Sequence, residues 1–188
     1  MYMLYSTLDL TNCRDAAVWA VVCVAFWGCC RLGELLPTNQ VSFHPSHHVT
    51  RGEEVMLELN DNGKAHSTGF HIPWSKVTKE EGADICVSEP EPGISTQYAM
   101  RQHLHANKNV PLHVSLFAYE TDTGGHHNLT KTEYLAWNIA SDAGDARFRY
   151  EIWAPKCSGN VMKQSVWGAE QSSTVRFRSG FRSGPLDG

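Results

Sequence analysis

No C-x-x-C pair occurs in this chain, although it carries six cysteines (Cys13, Cys23, Cys29, Cys30, Cys86 and Cys157). That absence excludes the usual redox and zinc-ribbon spacings. A chain of 188 residues can bury a core of its own, so it needs no disulfide framework. The cysteines therefore read as buried free thiols in a reducing compartment, three of them inside one apolar helix. No apolar run reaches the thickness of a bilayer: the run from Ala16 to Cys30 spans 15 residues and ends at Arg31. Asp9, Arg14 and Asp15 precede it, which is wrong for a secretory signal. The run is expected to be a core helix, and the protein nuclear or cytoplasmic, not secreted and not membrane-bound. No Gly-rich phosphate loop is found, since Gly124-Gly125 sits in a polar turn. The close histidines His44, His47 and His48, His103 and His105, and His126 and His127 lack a carboxylate or cysteine spacing that completes a zinc site. No metal and no cofactor is expected. Internal repeats and long low-complexity tracts are missing too.

What is present is ordinary in bulk and uneven in charge. Apolar residues make up 41% and charged residues 19%, as in a globular domain. Residues 1–146 hold 9 Lys and Arg against 17 Asp and Glu, a net charge of −8. Residues 147–188 hold 7 against 3, a net charge of +4. An acidic body is a poor electrostatic partner for DNA unless cations are gathered locally.

The pattern along the chain predicts an α+β fold, mainly helical, with a small three-stranded antiparallel sheet. Asn12 or Asp15 can cap a helix from about residue 15 to 36, which Pro37 stops. Val55 to Asn60 alternates like a strand, Asn62-Gly63 is a turn, and Thr68 to Trp74 can return as its partner. Asp84 to Ser88 reads as a third strand. Residues 95–107 form a helix with Tyr98, Met100, Arg101 and Leu104 at helical spacing. Pro111 to Tyr119 reads as extended. Thr130-x-x-Glu133 is a capping box ahead of a last helix. From Asp145 the periodicity fades and Ser, Gly and Arg accumulate, a composition that fits a disordered tail.

The most informative stretch is Ala25-Phe-Trp-Gly-Cys-Cys-Arg-Leu-Gly-Glu-Leu-Leu36. A guanidinium buried at the end of an apolar helix is costly unless paired or used. Glu34, three residues on, lies on the same helical face as Arg31 and can hold it. Spacing alone leaves open a structural ion pair or a phosphate ligand.

Arg31-Leu-Gly-Glu-Leu35 after an apolar helix resembles the first-arginine box of tyrosine recombinases, in particular of fungal recombinase-like proteins. His71-Ile-Pro-Trp-Ser-Lys-Val-Thr-Lys-Glu-Glu-Gly-Ala-Asp84 resembles that family's β-hairpin lysine segment. Pro111 to Tyr119, ending Leu-Phe-Ala-Tyr, and Leu129-Thr-Lys-Thr-Glu-Tyr-Leu135 follow in the family's order. The resemblance covers about residues 8–144 and implies a partial catalytic domain over 1–144, followed by a divergent basic tail over 145–188. It implies DNA recombination or integration by strand breaking and rejoining. In that chemistry cations hold the non-bridging oxygens, a proton donor serves the leaving 5′ oxygen, and a tyrosine attacks. Carried over by position, Arg31 matches the first arginine, Lys76 the hairpin lysine, and Arg149 stands in for the second arginine. Arg31, Lys76 and Lys79 are the implied DNA contacts. Double-stranded DNA is the implied partner, with a homo-oligomer on DNA.

The chain also departs from the family. Gly144-Asp-Ala-Arg-Phe-Arg-Tyr150 stands where a His-x-x-Arg box belongs and contains no histidine. The nucleophilic tyrosine has no counterpart, since Tyr150 lies beside the arginines. The expected protein is thus a degenerate, nuclear, mobile-element-derived enzyme. The alternative is a non-catalytic remnant that binds DNA or protein.

Overall fold

The computed structural model describes residues 5–59, 65–88, 95–141 and 174–177. Within them four helices and six strands make a mixed α+β fold. The order is α1 (Cys13–Trp27), α2 (Leu32–Leu35), β1 (Val55–Leu59), β2 (Ala65–Ile72), β3 (Ala83–Ser88), α3 (Thr96–Ala106), β4 (Ala118–Glu120), β5 (His126–Asn128), α4 (Lys131–Ser141) and β6 (Thr174–Phe177). The α+β class is the expected one, with helices and strands both well represented among the described residues.

α1 is the core. Asn12 caps it by accepting the Arg14 and Asp15 N–H groups, and every residue from Ala16 to Val24 is buried. Valines at 18, 21, 22 and 24 are weak helix formers; burial on all sides overrides that preference. α3 packs along α1, with β3 and β4 also against it. Ser95 caps α3 by accepting the Tyr98 N–H. The inward face of α3 carries Thr96, Gln97, Ala99, Met100 and His103. Tyr98 and Arg101 point outward, so the apolar stripe is rotated from the one read in the sequence.

The three expected strands form an antiparallel meander. Met56 pairs with Gly69 and Glu58 with Ser67, and a bulge follows between Glu58 and Leu59. Phe70 pairs with Ile85 and Ile72 with Ala83. Phe70 and Ile72 are buried and His71 between them is not, as a half-buried strand requires. A fourth strand, β6, joins β1 antiparallel, giving the order β3-β2-β1-β6. No strand was expected at residues 174–177. The Asn62-Gly63 turn and the rest of the 145–188 tail, with its expected disorder, lie outside the described residues. β4 and β5 form a separate two-stranded sheet, so the expected extended run 111–119 is strand at its end alone. The Thr130 box forms as read: Thr130 N–H donates to Glu133 Oε2 at 2.9 Å and Glu133 N–H to Thr130 Oγ1 at 3.2 Å.

Arg51 ties these pieces together from inside. It is 2% exposed, in a loop that the sequence marks as merely polar. Its Nη2 donates to the carbonyls of Leu104 (3.1 Å) and Asn107 (2.6 Å), the unsatisfied end of α3. Asn107 Nδ2 donates to Cys13 O at 3.0 Å and its Oδ1 accepts Glu120 N–H at 2.8 Å. α3, α1 and β4 therefore meet on one side chain. Asn107 Nδ2 also lies 3.1 Å from His103 Nδ1, and His103 Nε2 lies 2.8 Å from Leu116 O. A carbonyl accepts only, so Nε2 carries the proton and Nδ1 is the acceptor. Arg51 Nη1, 3.5 Å from that Nε2, is then a neighbour and not a donor to it.

Burial, with Arg51 beside it, pushes His103 down to about 3. Its ordinary pKa is about 6.5. The folded value is depressed, so His103 contributes stability above about pH 6.5 and loses it as pH falls toward 3. Chemical denaturation across that window should show stability falling by up to about 1.4 kcal/mol per pH unit from this group. His103→Gln should flatten the fall. Arg51→Ala should cost about 2–4 kcal/mol in the same measurement, because two helix-end carbonyls lose their donor.

Candidate functional site

The site begins where α1 stops. The expected single helix from 15 to 36 is broken at Gly28-Cys29. Gly28 N–H bonds Val24 O at 2.8 Å and Cys30 N–H reaches back to Ala25 O at 3.2 Å. Cys29 sits between them with φ of +50°. This is a left-handed helix stop with cysteine at the position glycine usually takes. Only Cys23 of the three cysteines assigned to the helix is inside it; Cys29 is exposed and Cys30 half-buried. Burial, together with Glu34 and Cys29, pushes the Cys30 thiol up to about 12, so it stays protonated.

Arg31 is consequently not a buried helical residue. It caps α2 from extended backbone, and its side chain is 61% exposed. Glu34, with its side chain 10% exposed, is the buried partner. Its Oε2 accepts Arg31 N–H at 3.0 Å, and its Oε1 accepts Arg31 Nη1 at 3.2 Å. The same Oε1 accepts the main-chain N–H of Lys76 at 3.4 Å. One carboxylate thus anchors both the arginine and the lysine turn, from segments 42 residues apart. The remaining Arg31 donors face solvent, where a phosphate oxygen can take them.

Lys76 and Lys79 lie on the β2–β3 connection, a tight and well-bonded turn. Ser75 and Lys79 exchange main-chain bonds of 3.2 and 3.0 Å. Ser75 Oγ accepts the N–H groups of Val77 (3.2 Å) and Thr78 (3.0 Å). Its own proton goes to Thr78 Oγ1 at 2.6 Å, because the Thr78 hydroxyl donates to Gly82 O. Gly82, at φ of +70°, is required there: a Cβ would run into the Ile72 carbonyl. Lys79 adopts φ of +58° and sets its Nζ 5.4 Å from the centre of the Trp74 ring. Lys76 is exposed, and Val77 at the tip is 77% exposed.

Arg149 and Tyr150 lie outside the described residues. Among the described residues neither Arg31 nor Lys76 hydrogen-bonds a tyrosine; Tyr134 is buried and the Tyr119 hydroxyl donates to Glu133 at 3.5 Å. Among them, too, no three His, Cys, Asp or Glu side chains are placed to hold a metal ion, and no helix is long and apolar enough to cross a membrane.

Sequence reasoning missed the neighbour of the lysine turn. Trp74 meets the His47 ring at 5.7 Å, and His47 meets His44 at 5.7 Å. Three clustered histidines were the available signal, but their proximity to Trp74 joins segments that the sequence keeps apart.

Comparison with protein-family models, with curated proteins and with solved structures found no match.

The stop at Cys29 sets up a test. A left-handed residue with a Cβ is strained by about 1–2 kcal/mol, part of which glycine gives back in unfolded-chain entropy. Cys29→Gly should therefore raise stability by about 0.5–1 kcal/mol in denaturant titration.

Proposed function

We infer that this chain is a tyrosine-recombinase-like domain that holds a DNA phosphodiester against the Arg31–Glu34–Lys76 surface. The observation that carries the reading is the shared Glu34 carboxylate, which brings together the two segments that resemble the family's arginine and lysine boxes. Arg31 supplies a planar donor fork for the non-bridging oxygens. Lys76 supplies an ammonium at the tip of a turn whose geometry is set by Ser75, Thr78 and Gly82. Lys79, held over Trp74, adds a flanking backbone contact. The reading also includes a nuclear, mobile-element-derived protein that can assemble on its DNA.

Strand cleavage is weak in this proposal. The described residues offer cations for the phosphate but no tyrosine bonded to them, and the expected second arginine, Arg149, brings no histidine with it. A non-catalytic DNA-binding remnant is the second reading, favoured by that same lack of a tyrosine beside Arg31. The two differ in one product. Incubation with supercoiled plasmid, followed by denaturing trapping of covalent protein–DNA adducts, separates them: an adduct marks the enzyme and its absence the remnant.

Binding itself is expected to be weak and salt-sensitive, because the surrounding body is net acidic. In fluorescence anisotropy with duplex DNA, Arg31→Ala should lower affinity about tenfold and reduce the slope of log affinity against log salt by about 1. Lys76→Ala should act in the same direction. Tight binding that ignores salt would sink the proposal.

A further inference from the structure

The four-stranded sheet has two edges among the described residues, and they are built differently. β6 is four residues long and carries Arg176. Short length and a basic side chain are common ways to keep an edge strand from pairing with another chain. β3 has neither protection. It runs for six residues, Ala83-Asp-Ile-Cys-Val-Ser88, with no lysine, arginine or proline. Its pairing with β2 keeps one register from Ser67–Ser88 to Ile72–Ala83, without a bulge. Its one charge, Asp84, is already engaged, since His71 Nδ1 lies 2.8 Å from Asp84 Oδ1. Among the described residues no strand pairs with the other side of β3, and no other main-chain group bonds to residues 83–88. The two faces of the strand differ. Val87 is buried, and Ile85 packs against the core under the end of α1, where a Cβ on Gly28 would lie 3.1 Å from it. Asp84 and Cys86 are on the opposite face and exposed, and Cys86 carries a free thiol.

We propose that β3 pairs antiparallel with β3 of a second copy of this chain, joining two sheets edge to edge about a two-fold axis at Cys86. The contact needs no DNA and does not rest on the DNA-binding reading. Its register follows from symmetry. A two-fold that relates antiparallel neighbours in one sheet stands perpendicular to the sheet, so the two inner faces stay on one side. Residues directly opposite each other share a face, so the axis falls on a residue and not between two. An axis at Asp84 pairs residues 83–85 alone and sets two carboxylates against each other. An axis at Val87 pairs residues 86–88 alone. An axis at Ile85 pairs residues 83–87 and sets Ala83 against the partner's Val87. An axis at Cys86 pairs residues 84–88 and sets Ile85 against the partner's Val87 on both sides of the axis. It therefore covers the half-buried Ile85 twice with a β-branched neighbour and opposes no like charges. On the outer face it sets Cys86 against the partner's Cys86.

The test is sedimentation velocity of the full chain in reducing buffer, from about 5 to about 300 μM, because a strand-edge contact is small and a Kd of about 10–100 μM is expected. The species gained should have twice the 21.0 kDa of one chain. Cys86→Ser should dimerise like the wild type. Cys86→Lys sets two ammonium groups against each other across the axis and should weaken the dimer about fivefold, as should Cys86→Glu. Mixing these two variants should restore it, because opposite charges then face each other. With the axis at Ile85, Cys86→Lys would meet the partner's Asp84 and tighten the dimer, which overturns the proposed axis. At dimer-forming concentration bismaleimidoethane should link two chains of the wild type and of Cys29→Ser, but not of Cys86→Ser. Equal thermal melting of the variants checks that the exposed substitutions have not unfolded the domain. A wild type that stays monomeric throughout overturns the proposal, and slow amide exchange over residues 83–88 in that monomer would assign the edge to this chain itself. A dimer that is indifferent to the charge at position 86 overturns it as well.

Discussion

A buried guanidinium joins the end of α3 to the rest of this fold. Arg51 is buried, and burial pulls its pKa down to about 10, still well above neutrality, so it remains charged inside. A buried cation of this kind is tolerated only where fixed dipoles surround it. The carbonyls at the end of α3 supply them, because a helix C-terminus presents partial negative charge and unpaired oxygens. Asn107 and His103 complete the arrangement by linking α3 to Cys13, Leu116 and Glu120. The position of α3 on α1, and hence the packing of Trp19, Met100 and Phe117 in one core, follows from that network.

A second arginine, 20 residues earlier in the chain, has the opposite fate. Arg31 stays exposed while its carboxylate partner is buried. A buried Glu34 with three donors on it is a fixed anchor, and an arginine fixed at one nitrogen loses less freedom when it meets a ligand. Residues 1–146 carry a net charge of −8, so the cations gathered around Glu34 stand against an acidic background.

Several elements were legible because their causes are local. Asn12 caps the first helix, Thr130 and Glu133 exchange bonds across one turn, and the strand expected from Thr68 returns antiparallel beside Val55–Leu59. Errors arose where the deciding contact is distant or where composition misleads. The unbroken apolar run from Ala16 to Cys30 hid the stop at Cys29, because cysteine is not the residue expected at a left-handed position. The stripe on α3 was misplaced because Tyr98 is apolar enough to suggest burial while His103, the buried one, is not. β6 pairs with β1 across more than a hundred residues, and short strands carry little periodicity of their own.

By itself the sequence determined the mixed α+β class, the capped helix starts, the sheet's first three strands and the candidate cations Arg31, Lys76 and Lys79. These depend on residue types within one or two turns of each other, where sterics and hydrogen bonding act through the chain. The tertiary structure alone decided which arginine is buried, which carboxylate holds the other, and that His47 and Lys79 share one indole ring. Those outcomes depend on burial and on distances between segments tens of residues apart. Both are properties of the packed chain, and no local pattern encodes them.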